Sequence, residues 1–444
     1  VRICVVGGWH QAAVLAAGFA ELGHEVAGAW WDAGVVAALS EGVAAVREPG
    51  LDEVLRRGIA DGRLRFTTDL TQALAGADVA YLALDTPVAD DDSPEVEPVM
   101  DAAVRVARAL SSDVIVCVSA QVPVGTTERI GRVVARISGR VCPVAYVPEF
   151  LRLGSALETF RQADRIVIGC DDERAAGAVA ALYAPLGRPI VHMDLRSAEM
   201  AKHASNAFLA ASVSFANELA ALCEAAGADV DAVTRVMKLD RRIGPLAFLS
   251  AGMGFAGGTL GRDVRSLQQA GRDAGVATPL LDAVMTVNEG RAALVVERLR
   301  SACGDVRGLR VGVWGLTYKA GTSTLRRSVA LRVVEDLTAS GAEVRAFDPW
   351  ADFGGAGDVP DFALCESALE AADGADAVVL LTEWPELAEV DPDELRRRMR
   401  RPLLLDTRNF LNAAALAAAG VTCLGIGRPV PAAGPGRVAV GGAA

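Results

Sequence analysis

Short apolar runs that read as strands buried on both faces alternate with helical pattern through the first half of the chain. RICVVG, EVAGAWWD, DVAYLALD, DVIVCVS, VAYVPE, RIVIGC and PIVHMD show little polar alternation, and helical stretches separate most of them. Such strands belong in parallel sheets covered by helices on both sides. The rhythm breaks at Ser197. From there to about Glu289 strand pattern nearly vanishes, and SAEMAKHASNAFLAASVSFANELAALCEAAG reads as one long helix ending at Gly227. Its Ala and Ser content predicts a narrow helix buried against a second copy of itself. Strands return at LRVGVWGL, AEVRAFDP, DAVVLLTEW and PLLLDTRNF. The expected class is α/β: two doubly wound parallel-sheet domains joined by a long central helix and a helical domain. Ligands are expected in the cleft between the halves and at the carboxyl ends of the strands.

Composition narrows the partners. The chain has 444 residues, 52% of them hydrophobic and 5% aromatic, enough for several buried cores. Its net charge of −12 argues against nucleic acid and membrane surfaces as partners, while a local basic site still admits a nucleotide. The eight cysteines form no C-x-x-C pair and read as buried, reduced thiols of a cytoplasmic protein. The N-terminal VRICVVGGWHQAAVLAAGFA reads as strand, turn and helix rather than a signal peptide, and no unbroken apolar stretch is long enough for a bilayer. The acidic run from Asp90 to Ser93 reads as a solvated loop, so no metal is expected.

The turn after the first apolar run bears on nucleotide binding. A dinucleotide cradle has glycine at its first, third and sixth positions, and here these are Gly7, Trp9 and Ala12, with Gly8 between the first two. Trp9 puts the largest side chain where backbone should approach a pyrophosphate. The second strand should end in an acid for the ribose hydroxyls. Trp30 stands there, and Asp32, two residues on, is expected on the same side of the strand as its substitute. Trp9 and Trp30 read either as stacking platforms or as core residues filling the groove. His10 reads as a surface turn histidine in preference to a phosphate ligand.

Further motifs occur in a fixed order: FAELGHEV, EPGLDEVL, DTP, QVPVGTT, VPEFLRLGSA, EMAKHASNAFLAASVSFANE, RRIGPLAFLSAGMGFAGGTLGRD, VGVWGLTYKAGTSTLRRSVAL, AFDPW, LLTEW and LDTRNF. Together they resemble the UDP-glucose and GDP-mannose dehydrogenases, the nucleotide-sugar 6-dehydrogenases, from residue 1 to about 412. The resemblance implies a Rossmann NAD-binding domain at 1–195, a central helical dimerisation domain at 196–295, a UDP-sugar-binding α/β domain at 296–430 and a flexible tail at 431–444. It implies NAD as cofactor, weakened or lost by the altered cradle and with NADP left open, a nucleotide sugar as substrate, and a homodimer through the central helix.

The resemblance also implies site residues. Lys202 and Asn206, four apart on one helix face, would stabilise a sugar oxyanion. Glu149 would orient water or take a proton, and Asp263 would pair with Lys202. On the cofactor side it marks Thr86, Pro87, Arg326 and the turn from Val122 to Thr126, with Gln121 standing where the family has Thr. On the substrate side it marks Phe150, Leu151, Arg242, Phe248, Gly254, Gly257, Lys319 and Arg408, beside Leu249 and Gly252. The family's loop Gly-Phe-Gly-Gly-Ser-Cys-Phe-Pro-Lys-Asp is here Gly254 to Asp263, and Thr259 stands where the cysteine forms a thioester. A threonine hydroxyl without an activating base is a poor nucleophile. The first expectation is hydride transfer at a nucleotide sugar without the four-electron oxidation. The alternatives are a redox-inactive nucleotide-sugar binder and a non-oxidative enzyme that reuses the sugar cleft.

Overall fold

The computed structural model of the chain describes residues 1–89, 93–255, 257–326, 328–355 and 360–429. Asp90 to Asp92 of the acidic run and the tail at 431–444 lie outside them. The chain divides into two compact units: Val1–Ala210 with Ala256–Asp282 and Gly321–Thr324, and Ala211–Phe255 with Ala283–Ala320 and Leu325–Ala444.

The first unit is built on eight strands: β1 (Arg2–Val6), β2 (Glu25–Ala29), β3 (Leu64–Thr67), β4 (Val79–Leu82), β5 (Ile115–Val118), β6 (Val144–Tyr146), β7 (Ile166–Gly169) and β8 (Ile190–Met193). Their order is β3-β2-β1-β4-β5-β6-β7-β8. The order reverses direction between β1 and β4, which opens a crevice at the carboxyl edge where α/β sheets take ligands. β1, β4 and β7 are buried on nearly every residue, as apolar runs without alternation require. One pairing departs from the all-parallel expectation: β6 and β7 are antiparallel, with Tyr146 opposite Gly169. β7 therefore starts, rather than ends, at the carboxyl edge. β3 was not legible as a strand, because only its first residue is buried.

Between β1 and β2 runs the helix His10–Glu21, buried from His10 to Ala20. Its small residues allow it to pack against the helix Leu51–Ala60 and the helix Ala156–Arg161. Close approach explains the glycine before it: a Cβ on Gly7 would lie 2.3 Å from the Ala83 carbonyl oxygen and 2.6 Å from the Ala12 methyl. The second unit carries a parallel sheet of β9 (Arg310–Trp314), β10 (Glu343–Phe347), β11 (Ala363–Leu364), β12 (Ala377–Leu380), β13 (Leu403–Asp406) and β14 (Thr422–Gly425), in the order β11-β10-β9-β12-β13-β14. It is Rossmann-like, but the acid after its second strand is spent internally: Asp348 Oδ2 accepts from the Leu316 and Thr317 amides at 2.7 and 2.9 Å.

The long helix spans Leu195–Ala226 and ends before Gly227, whose φ is +71°. Against expectation it is long and apolar enough to cross a bilayer by length and composition, with mean hydropathy 1.2 over its best window, half of which is buried. Its inward face carries Glu199, Lys202, His203 and Asn206, all buried and hydrogen-bonded or ion-paired, which marks it as a core helix.

Candidate functional site

Glu199, Lys202, His203 and Asn206 are spaced i, i+3, i+4 and i+7, so one face of the long helix presents four polar side chains to the interior of the first unit. Lys202 reaches the loop after β6. Its Nζ donates to the Glu149 carbonyl at 2.5 Å, lies 3.7 Å from Glu149 Oε1 and sits 4.8 Å from the centre of the Phe150 ring. Glu149 Oε2 accepts from the Leu151 amide at 2.6 Å, which holds the carboxylate toward the helix.

Asp263 does not pair with Lys202. Fully buried at the start of the helix Arg262–Ala274, it takes His203 Nδ1 on Oδ1 at 2.8 Å, and Asn206 Nδ2 at 2.5 Å with the Gln121 amide on Oδ2. His203 Nε2 meets the Val122 carbonyl at 2.8 Å. With a carbonyl on one side and a carboxylate on the other, both ring nitrogens face acceptors, and the ring is held between Val122 and Asp263. The expected Lys202–Asp263 pair fails because His203, one residue on and aimed at the same carboxylate, claims it.

Gln121 joins the segments. Its carbonyl accepts from the Thr86 hydroxyl at 2.6 Å, its side-chain oxygen accepts from Arg262 and its amide donates to Asp263. Arg262 also donates to the Thr86 carbonyl at 2.9 Å. Pro87 follows Thr86, partly buried. Glu199 takes the Gly125 amide at 2.5 Å and the Thr127 amide and hydroxyl at 2.8 and 2.7 Å, so it caps the helix Thr126–Ser138 from outside. Burial pushes its carboxyl above the ordinary range. The Tyr146 hydroxyl is buried without a partner among the described residues, and burial beside Asp263, Glu199 and Glu149 raises it well above its usual value. Sequence reasoning missed Glu199, His203 and Tyr146. For the first two the signal was present, because they share the helix face of Lys202 and Asn206.

Thr259 lies on a π turn, Gly257–Gly261, that leads directly into the helix carrying Arg262 and Asp263. Its side chain is exposed and makes no hydrogen bond to a titratable group among the described residues. Among the thiols, burial pushes Cys4 up to about 12 and Cys117 well above its usual range.

The cofactor side is mixed. Trp9 stands at the N-cap of the helix His10–Glu21, its side chain makes no cap bond, and no acid stands in the first turn, so this helix start suits a pyrophosphate. His10 is not a surface residue: it is buried, with Nε2 3.0 Å from Glu48 Oε1. Glu48 in turn accepts from the Gly154 and Ala156 amides at 2.5 and 3.0 Å, fixing the loop after Phe150. Asp32 is not a strand residue. β2 ends at Ala29, and Asp32 caps the helix Ala33–Ser40 by accepting from the Val35 amide at 2.9 Å. Trp30 packs on the core and stacks on Trp31, with ring centres 3.6 Å apart. Its indole covers Gly8 so closely that a Cβ there would lie 2.4 Å from it.

In the second unit, Gly252 and Gly254 belong to a clamped loop. The Gly252 amide donates to Asn217 at 2.8 Å, its carbonyl accepts twice from Arg291, and Asn288 brackets the backbone of Phe255. Arg408 lies beside Gly252 and donates to the Leu381 carbonyl at 2.8 Å. Phe248, Lys319 and Arg326 are exposed, and Arg242 pairs with its neighbour Asp240 at 2.6 Å instead of joining this cluster.

Three models of one family match in sequence order. The NAD-binding domain of the UDP-glucose/GDP-mannose dehydrogenase family matches residues 1–187, its central domain 196–290 and its UDP-binding domain 312–413. The UDP-glucose 6-dehydrogenase of Pseudomonas aeruginosa is 38% identical, across 97% of this chain and 98% of its own. Bacillus subtilis YwqF, also named a UDP-glucose 6-dehydrogenase, is 36% identical over 96% and 98%. Among solved structures, a UDP-glucose dehydrogenase from Pyrobaculum islandicum superposes with a TM-score of 0.86 at 36% identity, covering 93% and 95% of the two chains. With a Rossmann sheet, a buried Lys202 facing Glu149 at its carboxyl edge and these matches along its length, this chain belongs to the UDP-glucose/GDP-mannose dehydrogenase family.

Proposed function

We propose that this protein is a nucleotide-sugar oxidoreductase that carries an alcohol to a carbonyl and does not complete the four-electron oxidation through a thioester. One observation carries the reading: a fully assembled buried network around Lys202 and Asp263 adjoins a turn whose reactive position offers only the hydroxyl of Thr259. A hydroxyl needs an adjacent base to act as a nucleophile, and Thr259 has none bonded to it among the described residues. The Lys202 ammonium stabilises the developing sugar oxyanion, and Glu149, 3.7 Å away, accepts the hydroxyl proton. Asn206 and Asp263 hold the far side of the network. Phe150 and Leu151, with Arg242, Phe248, Gly254, Gly257, Lys319 and Arg408, are the substrate-binding candidates, and the relatives' names support a UDP-sugar.

The residues present fit NAD at the pyrophosphate, through Gly7, Gly8 and the helix start at Trp9, with Thr86, Pro87 and Gln121 on the far side of the crevice. A bound nicotinamide supplies the hydride acceptor. The adenosine end is weakened, because Trp30 offers no acceptor for ribose hydroxyls and Asp32 is engaged as a cap. Losing that acceptor costs about 1–3 kcal/mol, roughly ten- to a hundred-fold in affinity. A second reading, a redox-inactive nucleotide-sugar binder, draws on the cover that Trp30 places over Gly8. Incubation with a UDP-sugar and NAD separates the two: one NADH per sugar with a trappable carbonyl product supports the first, and sugar binding without NADH supports the second. Two NADH per sugar with a uronate product overturns both.

The homodimer belongs to the same proposal. Phe208, Phe215 and Leu222 recur every seven residues on the long helix and are 73%, 51% and 61% exposed, a seam suited to a second copy. Sedimentation of Phe215→Glu tests it: the wild type runs as a dimer and the variant as a monomer.

A further inference from the structure

Lys202 takes its place from one short segment. Its ammonium meets the Glu149 carbonyl at 2.5 Å, the Glu149 carboxylate at 3.7 Å and the Phe150 ring, whose centre is 4.8 Å away. Whatever orders that segment therefore orders the lysine. The sheet gives it little support on the β7 side, because β6 and β7 share a single paired position, Tyr146 with Gly169. Carried on in the same antiparallel register, Phe150 falls opposite Arg165, the residue immediately before β7. There the Arg165 guanidinium lies 4.3 Å from the centre of the Phe150 ring. Half-buried Arg165 makes no hydrogen bond or ion pair among the described residues, so the ring is its partner. A guanidinium over an aromatic face is held by the ring quadrupole, the more so where water is partly excluded. One ring thus meets two cations, one from the start of β7 and one from the long helix.

We infer that Arg165 is a positioning residue for the reaction: stacked on Phe150, it fixes the ring and, through it, the seat of Lys202 against Glu149. The inference rests on the oxidoreductase reading above, in which Lys202 stabilises the developing oxyanion and Glu149 takes the proton. Arg165 bonds to neither of them, so its part is geometric. The stack supplies at one point what the missing β6–β7 ladder bonds would supply along a fully paired strand. When the ring and the acid beside it drift, the ammonium loses its alignment with the oxyanion while the contacts that bind the rest of the ligand remain. A misplacement of that kind falls on kcat and spares KM.

Two measurements on the full-length protein test the inference: steady-state kinetics with a UDP-sugar and NAD, and NMR with isotope-labelled lysine. The chain has three lysines, Lys202, Lys238 and Lys319, and Phe150→Leu identifies the Lys202 signal by removing the shielding of the ring. In Arg165→Met that shielding falls, and kcat drops about ten-fold or more while KM moves less than about two-fold. Arg165→Gln, neutral and polar, gives the same result, so the outcome does not hang on how one variant folds. Arg165→Lys, which keeps a cation over the ring, retains most of kcat. In the Phe150→Leu background Arg165→Met costs nothing further. An unshifted Lys202 signal in both neutral variants overturns the inference, and so does a full further loss in the Phe150→Leu background. A rise in KM at constant kcat also overturns it, assigning the arginine to the ligand itself. No NADH from the wild type overturns the oxidoreductase reading, while the NMR comparison, which needs no turnover, still decides whether Arg165 seats Lys202.

Discussion

His203 offers the sharpest test of how the site is held together. It is 1% exposed, Asp263 is 0% exposed, and both ring nitrogens face acceptors at 2.8 Å. His203→Leu removes both ring contacts. It leaves a buried carboxylate supported only by the amides of Asn206 and Gln121, and strips the Val122 carbonyl of its partner. Breaking a buried pair from one side costs about 3–5 kcal/mol, which for a body of this size lowers the melting temperature by roughly 6–20 °C. Asp263→Asn is expected to be far milder. The new amide can donate to Nδ1 while Nε2 donates to the Val122 carbonyl, and the remaining oxygen still accepts from Asn206 and Gln121, so the loss stays near 1 kcal/mol. Urea denaturation followed by tryptophan fluorescence measures both. A loss under about 1 kcal/mol for His203→Leu refutes a supporting role for the His203–Asp263 contact. Equal losses for the two variants refute the replacement hydrogen bond.

Three further outcomes follow from other parts of the chain. Thr259→Cys places a thiol on an exposed turn beside an otherwise assembled network, so NADH released per sugar should rise from about one toward two by mass balance; an unchanged ratio means the turn cannot present a nucleophile. Trp30→Asp restores an acceptor at the end of the second strand and uncovers Gly8, and should tighten NAD about ten-fold or more in a fluorescence titration, where no gain locates the weakness elsewhere. Burial raises the Glu199 carboxyl, so its ionised form is disfavoured in the folded state. Its contribution to stability is complete below the unfolded value and is lost as pH rises through the raised one. The stability of the wild type relative to Glu199→Gln should therefore be larger near pH 4.5 than near pH 7, and a difference that grows with pH contradicts the assignment.

The sheets and the long helix were legible in the sequence because both rest on patterns of burial. Continuous apolar runs give strands covered on both faces, and Gly227, at φ +71°, ends the helix where expected. Lys202 and Asn206 were legible because four-residue spacing fixes a shared face. What local pattern cannot specify is partner choice. Local pattern puts Asp32 on the strand, but an aspartate three residues ahead of a free amide is an equally good cap, and the cap wins here. The partners of Asp263 come from positions 121, 203 and 206, and no spacing rule connects those segments. The direction of β7 is likewise invisible, since a buried strand has the same periodicity either way along the sheet.

Two of the departures that the family resemblance marks lie against each other. Gln121 and Arg262, which stand where the family resemblance places Thr and Lys, meet each other and share the service of Asp263: the arginine donates to the glutamine, and the glutamine donates to the aspartate. Trp30 is accommodated in the same way by Trp31 and by the bare backbone of Gly8. The carboxylate of Asp263 is served by His203, Asn206 and Gln121, and Lys202 keeps its acid, while the Tyr146 hydroxyl beside them stays without a partner among the described residues.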